Sequence, residues 1–166
     1  MLALAGLKRL GMDDIIAKSQ VVNWEDMLPA VSQGAIGIQC RSDDKRALDY
    51  LAVLNHKDTK VAIDCERSFL ECLDGNCRTP IAGQAHIKDG KLHFQGLISM
   101  PDGTRMIKVS RVGNPEDAVA IGKAAGQEIR DIAGDKFKEY GEANQVVLDA
   151  TAAENAAAKA AKAASK

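Results

Sequence analysis

The sequence lacks an excess of charge of either sign. Its 166 residues contain 22 Lys and Arg against 23 Asp and Glu, giving a formal net charge of −1 with the signs interspersed. No long-range field is therefore available to attract nucleic acid or an anionic membrane, and any recognition of anions has to be local. We expect neither a nucleic acid nor a membrane among its partners.

Long apolar runs are also missing. The longest fall far short of the roughly 20 residues that span a bilayer. The start of the chain, residues 1–7, has neither the basic leader nor the polar cleavage region of a signal peptide. A composition of 46% apolar and 27% charged residues is typical of a globular protein with a real core. The sequence predicts a soluble protein without an export signal.

Cysteine is scarce, and no Cys-x-x-Cys pair occurs. The four cysteines are Cys40, Cys65, Cys72 and Cys77, and the three histidines are His56, His86 and His93. A chain of this length does not need disulfide bonds to stabilise its fold, so reduced thiols in an intracellular compartment are expected. The histidines show no ligand spacing with one another or with the cysteines, and we predict no metal site.

The first 40 residues predict parts of a larger unit. Residues 2–10 are strong helix formers, with Gly11 in the position of a helix stop. This predicted helix has no capping residue, as though the chain began within an element. Residues 12–34 are expected to be irregular, and the apolar run 35–40 predicts a buried strand that has no obvious local partner.

Two helices are predicted next. Ser42 or Asp43 can cap the first, and a second follows Asp58 and stops at Asp74-Gly75. Apolar residues at spacings of three and four predict that the two helices pack as a pair. The inward residues are Ala47, Leu48, Leu51 and Leu54 in the first helix and Val61, Cys65, Phe69, Cys72 and Leu73 in the second.

The apolar period then changes to two. Residues 81–87, 92–99 and 105–112, separated by Asp-Gly turns, predict a three-stranded antiparallel meander. Asn114-Pro115 opens a last helix. Its predicted inward residues are Ala118, Ile121, Ala125, Ile129 and Ile132. Residues from about 43 to 140 form a small α+β domain. The Ala/Lys-rich tail, residues 141–166, is expected to be disordered or a frayed helix, because residues 151–166 contain no large apolar residue to bury.

Cys77 differs from the other cysteines in its surroundings. It lies on a tight turn between a helix and a strand, beside Arg78, where a thiolate can form and reach a ligand. Cys40, Cys65 and Cys72 fall on apolar strand or helix positions and are expected to pack in the core. From the local sequence alone, Cys77 fits a functional thiol and a loop residue without a function equally well.

Several motifs together resemble the porphobilinogen deaminase family. They occur in that family's order and spacing from the first residue to about residue 133. The segments are Leu-Ala-Gly-Leu-Lys-Arg-Leu-Gly at 4–11, Leu-Pro-Ala-Val-Ser-Gln-Gly-Ala-Ile-Gly-Ile at 28–38, Leu-Asn-His at 54–56, Cys-Glu-Arg-Ser-Phe-Leu at 65–70 and the Cys77 turn. The sequence around residues 73–85 most resembles that of the plastid enzymes.

The resemblance implies a domain division. Residues 1–41 would be the end of a second, periplasmic-binding-protein-like α/β domain and the strand returning from it. Residues 42–140 would be the C-terminal cofactor-attachment domain, and 141–166 the tail. This accounts for the uncapped start and the strand without a partner.

The resemblance also implies a chemistry. Cys77 would hold a dipyrromethane cofactor through a thioether, priming the addition of porphobilinogen units, with loss of ammonia, to a growing oligopyrrole. Arg9 would pair bidentately with acetate and propionate carboxylates. Gln33 and Gly34 would line the cofactor cleft. The implied product is hydroxymethylbilane for heme and chlorophyll synthesis, in the chloroplast stroma; without the resemblance, a cytoplasmic location is the expectation.

Two departures from the family stand out. Ser32 replaces the glycine that usually precedes Gln33, at a turn that can need positive φ. No segment matches the family's catalytic aspartate, so we assign no catalytic residue here and expect the missing N-terminal half as a partner. The alternatives are a non-catalytic α+β module that binds a pyrrole or a partner protein and, ranked last, a metal-binding module.

Overall fold

A computed structural model describes residues 1–74 and 79–164 of the chain. The helices are α1 (Leu4–Arg9), α2 (Asp13–Ala17), α3 (Lys45–Ala52), α4 (Lys57–Cys72), α5 (Ala118–Ala133) and α6 (Phe137–Ala164), and the strands are β1 (Ile81–Lys88), β2 (Lys91–Ser99) and β3 (Met106–Gly113). Short 3-10 turns at Pro115–Asp117 and Gly134–Lys136 flank α5. The predicted α+β class is confirmed.

The three strands form one antiparallel sheet in the order β1-β2-β3. Lys88 pairs with Lys91, so the first hairpin has a two-residue loop, and both loop residues, Asp89 and Gly90, have positive φ (52° and 73°). Such a loop matches the twist of the flanking strands and fixes their register. The predicted meander is confirmed, with strand ends displaced by no more than one residue.

The core lies between one face of this sheet and the helices α4 and α5. Its largest fully buried side chains are Phe69, Phe94, Leu92, Ile98 and Ile129. The rings of Phe69 and Phe94 meet edge to face with centroids 4.9 Å apart. Burial of each such side chain stabilises the fold by about 1.5–3 kcal/mol, so this layer accounts for most of the hydrophobic stabilisation.

Close approach of α4 and α5 depends on two glycines of α5. A Cβ at Gly122 would collide with the Cys65 carbonyl oxygen, and one at Gly126 would lie 2.7 Å from the Cβ of Cys72. At the same crossing the Ser68 hydroxyl lies 2.9 Å from the Cys65 carbonyl oxygen and 3.1 Å from that of Val119. The two helices therefore pack backbone to backbone.

The predicted pairing of the first two long helices is wrong. α4 packs against α5, and none of the residues of α3 is buried. Leu48 and Leu54 are 43% and 65% exposed, because no described element covers the apolar side of α3. Its cap is Asp44, not Ser42 or Asp43: the Asp44 carboxylate accepts from the Ala47 N–H at 3.0 Å.

Three further expectations need correction. Residues 35–40 form no strand, and Ile36 and Ile38 are exposed, since no described segment offers them hydrogen-bond partners. The region 12–34 is not wholly irregular, because Asp13–Ala17 is helical. Ile132 is 59% exposed because α5 reaches its last turn there, beyond the edge of the sheet. The predicted helix stop at Gly11 is confirmed by its φ of +64°.

Helix α6 continues far beyond the core. Tyr140 is buried, whereas the residues of 141–156 whose side chains are described are exposed. The segment is helical and leaves its apolar Val146 69% exposed, and the expectation that it frays stays a prediction. None of the helices in the described part of the chain combines the length and apolarity needed to cross a lipid bilayer.

The helix crossing gives a stability prediction. We expect Gly122→Ala to destabilise the fold by about 3 kcal/mol, because the added Cβ meets backbone that cannot move aside. Gly141→Ala is the matched control: its Cβ meets nothing within 4 Å on α6, and a gain of about 0.5 kcal/mol is expected. Urea unfolding of both variants measures the difference, and equal midpoints would contradict the packing.

Candidate functional site

The segment that carries Cys77 is described at its two flanks. Residues 75–78, Cys77 among them, lie outside the described residues. On the entry side, the chain leaves α4 through Leu73, which is buried, and Asp74, whose φ is +51°. The Asp74 N–H donates to the Glu71 carbonyl at 3.0 Å, which closes the last turn of α4.

The exit side is part of the sheet. The Thr79 carbonyl accepts from the Ile81 N–H at 2.8 Å, and the Pro80 carbonyl accepts from the Ser99 N–H of β2 at 3.0 Å. The bond to Pro80 extends the β1-β2 pairing back toward the segment, and the bond to Thr79 is a local turn just before β1. The predicted turn between a helix and a strand is thus attached to rigid elements at both ends.

The turn that contains Gln33 and Gly34 docks on the outer edge of β1. The Pro29 carbonyl accepts from the Gly83 N–H at 3.0 Å, and Val31 packs on the core. Ser32 and Gly34 have φ values of +63° and +88°. The position where the family has glycine does need positive φ, and Ser32 adopts it. Gln33 and Gly34 themselves are exposed.

A buried carboxylate joins this turn to the sheet. Glu66, only 3% exposed on α4, accepts from the Ser32 N–H at 2.5 Å and from the Ala85 N–H of β1 at 2.7 Å. Burial raises the pKa of this carboxyl, while the two backbone N–H donors oppose the rise. Sequence reasoning missed Glu66; the available signal was a charged residue on the inward stripe beside Cys65 and Phe69.

The opposite face of the sheet is also partly covered by the first part of the chain. The Trp24 ring meets the His86 ring edge-on with centroids 4.5 Å apart, and His86 stacks on His93 of β2 at 5.2 Å. Burial and the neighbouring His93 lower the pKa of His86. Beside this cluster lies a pocket of about 270 Å³, which Trp24, Leu97 and Lys108 help to line.

The described cysteines differ in how deeply they are buried. Cys65 is fully buried, and burial together with the neighbouring Glu66 raises its pKa to about 12, so its thiol stays protonated. Cys72 is half-buried against Gly126. Cys40 is exposed, which corrects the expectation of core packing: the strand that would have buried it does not form. None of these three cysteines lies between the end of α4 and the start of β1, where the sequence has Cys77.

Arg9 stands apart from these features. It is exposed in the last turn of α1, where its charge also faces the negative end of the helix dipole. Among the described residues, no hydrogen bond or ion pair joins it to the turn at 32–34. A second arginine that sequence reasoning missed, Arg130 of α5, does contact the entry flank of the Cys77 segment.

Two family models match the chain. One is described as porphobilinogen deaminase, C-terminal domain, and matches residues 60–131. The other is described as porphobilinogen deaminase, dipyromethane cofactor binding domain, and matches residues 1–49. The first covers the α+β core with the Cys77 turn, and the second covers the segments that hold Arg9, Gln33 and Gly34.

Curated relatives agree with these matches. The chain is 54% identical over 140 residues to the chloroplastic porphobilinogen deaminase of Pisum sativum and 52% identical over 141 to that of Oryza sativa subsp. japonica. It is 45% identical over 137 residues to the enzyme of Nitrobacter hamburgensis. Each alignment covers 82% of this chain but only 37%, 38% and 43% of the relative. The chain spans about two fifths of the length of these relatives.

The fold and the matched segments define an α+β protein whose core matches a C-terminal domain model and whose first 49 residues match a dipyromethane cofactor binding domain model. The two family models together extend over most of the described chain, and the relatives carry the same name. The chain belongs to the porphobilinogen deaminase family.

The buried carboxylate gives the next prediction. In Glu66→Gln the amide nitrogen cannot accept a hydrogen bond, so the N–H of Ser32 or Ala85 loses its partner. We expect a loss of about 1–3 kcal/mol of unfolding free energy at pH 4. Glu128→Gln, which removes a half-exposed ion pair with Arg111, is the matched control and should cost no more than about 1 kcal/mol.

The cost of Glu66→Gln should depend on pH. Because the folded-state pKa of Glu66 is raised, the folded protein binds this proton more tightly than the unfolded chain does. The resulting stabilisation is full below the unfolded pKa of about 4.3 and is lost as pH rises through the folded pKa. Urea unfolding from pH 4 to 8 should therefore show a shrinking difference between the two proteins; a constant difference contradicts this origin.

Ser32 allows a separate prediction. Its φ is positive, and its hydroxyl is buried with no hydrogen-bond partner among the described residues. Ser32→Gly removes both penalties and should stabilise the protein by about 1 kcal/mol. Ser32→Ala removes only the hydroxyl and should gain less. Thermal unfolding compares the three proteins, and a Ser32→Gly protein that melts below the wild type would show that the hydroxyl has a role.

Proposed function

We propose that this chain is the cofactor-attachment portion of a porphobilinogen deaminase (hydroxymethylbilane synthase), with a dipyrromethane cofactor bound covalently to Cys77. The observation that carries this proposal is the match of the C-terminal domain model to residues 60–131, which includes Cys77. The rigid flanks of the Cys77 turn and the unsuitable surroundings of Cys65 and Cys72 support it.

The cofactor, when bound, supplies the pyrrole carbon to which porphobilinogen units are added, each with loss of ammonia. Cys77 would supply a soft nucleophile, whose thiolate would form the carbon–sulfur bond that holds the cofactor through an electrophilic methylene carbon. Where that methylene carries a hydroxyl group, the hydroxyl would take up the thiol proton and leave as water. Because both flanks are held in the domain, the short segment between them would keep the growing oligopyrrole attached to the domain.

Arg9, Gln33 and Gly34 are proposed to contact the cofactor or the growing oligopyrrole. A planar guanidinium pairs with an acetate or propionate carboxylate through two hydrogen bonds, and the exposure of Arg9 leaves it free to do so. Gly34, with φ +88°, lets the backbone approach a ligand closely. Glu66 acts indirectly, since it holds the turn through the Ser32 N–H.

Activity is proposed to need the N-terminal half of a family member. The chain spans two fifths of its relatives, and no segment resembles the family's acid/base aspartate motif. Its exposed apolar residues, Ile36, Ile38, Leu48 and Leu54, offer a surface for such a partner. The chloroplastic names of the pea and rice relatives support a location in the plastid, and within the plastid we propose the stroma.

The second candidate is a non-catalytic module that binds a pyrrole or a partner protein. The exposed apolar surface of residues 36–54 favours it, because that surface needs a partner whether or not chemistry follows. The two candidates differ at Cys77: only the enzyme portion requires a covalent adduct there.

The test is the intact mass of the full chain after incubation with preuroporphyrinogen, followed by peptide mapping. Preuroporphyrinogen is hydroxymethylbilane, a linear tetrapyrrole, so we expect the peptide that contains Cys77 to gain the mass of that tetrapyrrole less water. Cys77→Ser should abolish the increment, whereas Cys40→Ser, which removes another exposed thiol, should leave it unchanged. If a full-length relative is primed under the same conditions and this chain is not, the non-catalytic candidate is favoured.

A further inference from the structure

One side chain of α5 holds the point where the chain leaves α4. Arg130 Nε donates to the Cys72 carbonyl oxygen at 2.6 Å, and its Nη2 forms an ion pair with the Asp74 carboxylate. The guanidinium also lies over the Phe137 ring, with Cζ 4.6 Å from the ring centroid. Three different contacts therefore fix one planar group.

The contacts have separate physical origins. The Cys72 carbonyl is one of the last carbonyls of α4, which have no partner within the helix and lie at the negative end of its dipole. A guanidinium satisfies that carbonyl and complements the dipole. The Arg130 side chain is 31% exposed but that of Asp74 is 83% exposed, so the ion pair by itself contributes little stability. Its effect is on geometry, because Asp74 meets a cation that is already held in place.

The backbone conformation of Asp74 links Arg130 to the path of the chain beyond α4. Its φ of +51° lies in the left-handed region, which an aspartate tolerates less well than glycine. This backbone angle sets the direction in which the chain leaves α4. Cys77 follows three residues later in the sequence.

We propose that Arg130 is a positioning residue for the segment that carries Cys77. By holding the Cys72 carbonyl and the Asp74 carboxylate, it fixes the point at which the chain leaves α4 toward Cys77, and the expected consequence is faster capture of the pyrrole primer by the thiol. This inference rests on the proposed function of Cys77. Arg130 acts through Asp74 and is assigned no contact with the cofactor.

The variants separate geometry from charge. Arg130→Gln loses the cation and its fork of donors. Arg130→Lys keeps the charge, but an ammonium cannot reproduce the planar fork or the stacking on Phe137. Arg111→Gln is the matched control, because it removes an ion pair to Glu128 of the same helix, of 2.7 Å, away from the Cys77 segment.

Two readouts on the full chain are compared. Hydrogen exchange of the peptide covering 70–80 reports on the anchor, and we expect about tenfold faster exchange in Arg130→Gln, from a local opening of the α4 end. The initial rate of adduct formation from preuroporphyrinogen reports on placement, and we expect about a tenfold loss, since a misplaced nucleophile reacts slowly. Alkylation of Cys77 by iodoacetamide, which needs no such placement, should change less than about twofold.

The control and the conservative variant complete the test. Arg111→Gln should match the wild type in both readouts, and Arg130→Lys should fall between the wild type and Arg130→Gln. The inference is overturned if Arg130→Gln leaves exchange in 70–80 unchanged, or if exchange accelerates while primer attachment keeps its wild-type rate. A general loss of stability would show as faster exchange in β2 as well, and that result also counts against a positioning role.

Failure of the proposed function gives a different result. If the wild-type chain takes no adduct while a full-length relative does, the role of Cys77 in this chain fails. Exchange in 70–80 still decides whether Arg130 holds the segment, because that readout needs no primer.

Discussion

The carboxylate of Glu66 joins three parts of this molecule through hydrogen bonds: the helix α4, the strand β1 and the turn at Ser32. It projects from α4, lies almost completely out of solvent, and accepts one backbone N–H from the free edge of β1 and one from the turn at Ser32. An edge strand exposes unpaired N–H groups. On β1, the N–H of Ala85 is satisfied by Glu66 and that of Gly83 by the Pro29 carbonyl, so the edge is closed by the same segment that it holds.

This arrangement explains how the first part of the chain is held. The helices α1, α2 and α3 contribute no buried residue, whereas α4, the sheet and α5 form a closed core. The first part of the chain is held instead at single points, chiefly Ser32 on Glu66 and Trp24 on His86. Arg9, Gln33 and Gly34, which are proposed to contact the cofactor, thus lie on a segment held by a few directed contacts, whereas the described flanks of the proposed attachment segment, Asp74 and Thr79, adjoin the closed core.

The sequence predicted the closed core well because its signals are local. Alternating apolar residues and Asp-Gly loops set the meander, and the inward stripe of α4 was confirmed at Cys65, Phe69 and Leu73. Contacts between distant segments left no such signal. Nothing near Gly122 reveals that its missing side chain selects α5, not α3, as the partner of α4. The strand at 35–40 was wrong for a related reason: apolar residues favour a strand, but a strand forms only against a partner.

In the candidate site, too, local features could be predicted and contacts between distant segments could not. The positive φ at position 32 followed from comparison with the family's glycine, because a backbone conformation is a property of one position. The roles of Cys77, Arg9, Gln33 and Gly34 stay predictions, since they concern a ligand and not the chain's own packing. Glu66 and Arg130 were missed because each acts on residues 34 and 56 positions away, Ser32 and Asp74 respectively. Both bind backbone or flanking groups and leave the predicted ligand-contacting residues free, which is the arrangement expected when rigid elements support a site on a short loop.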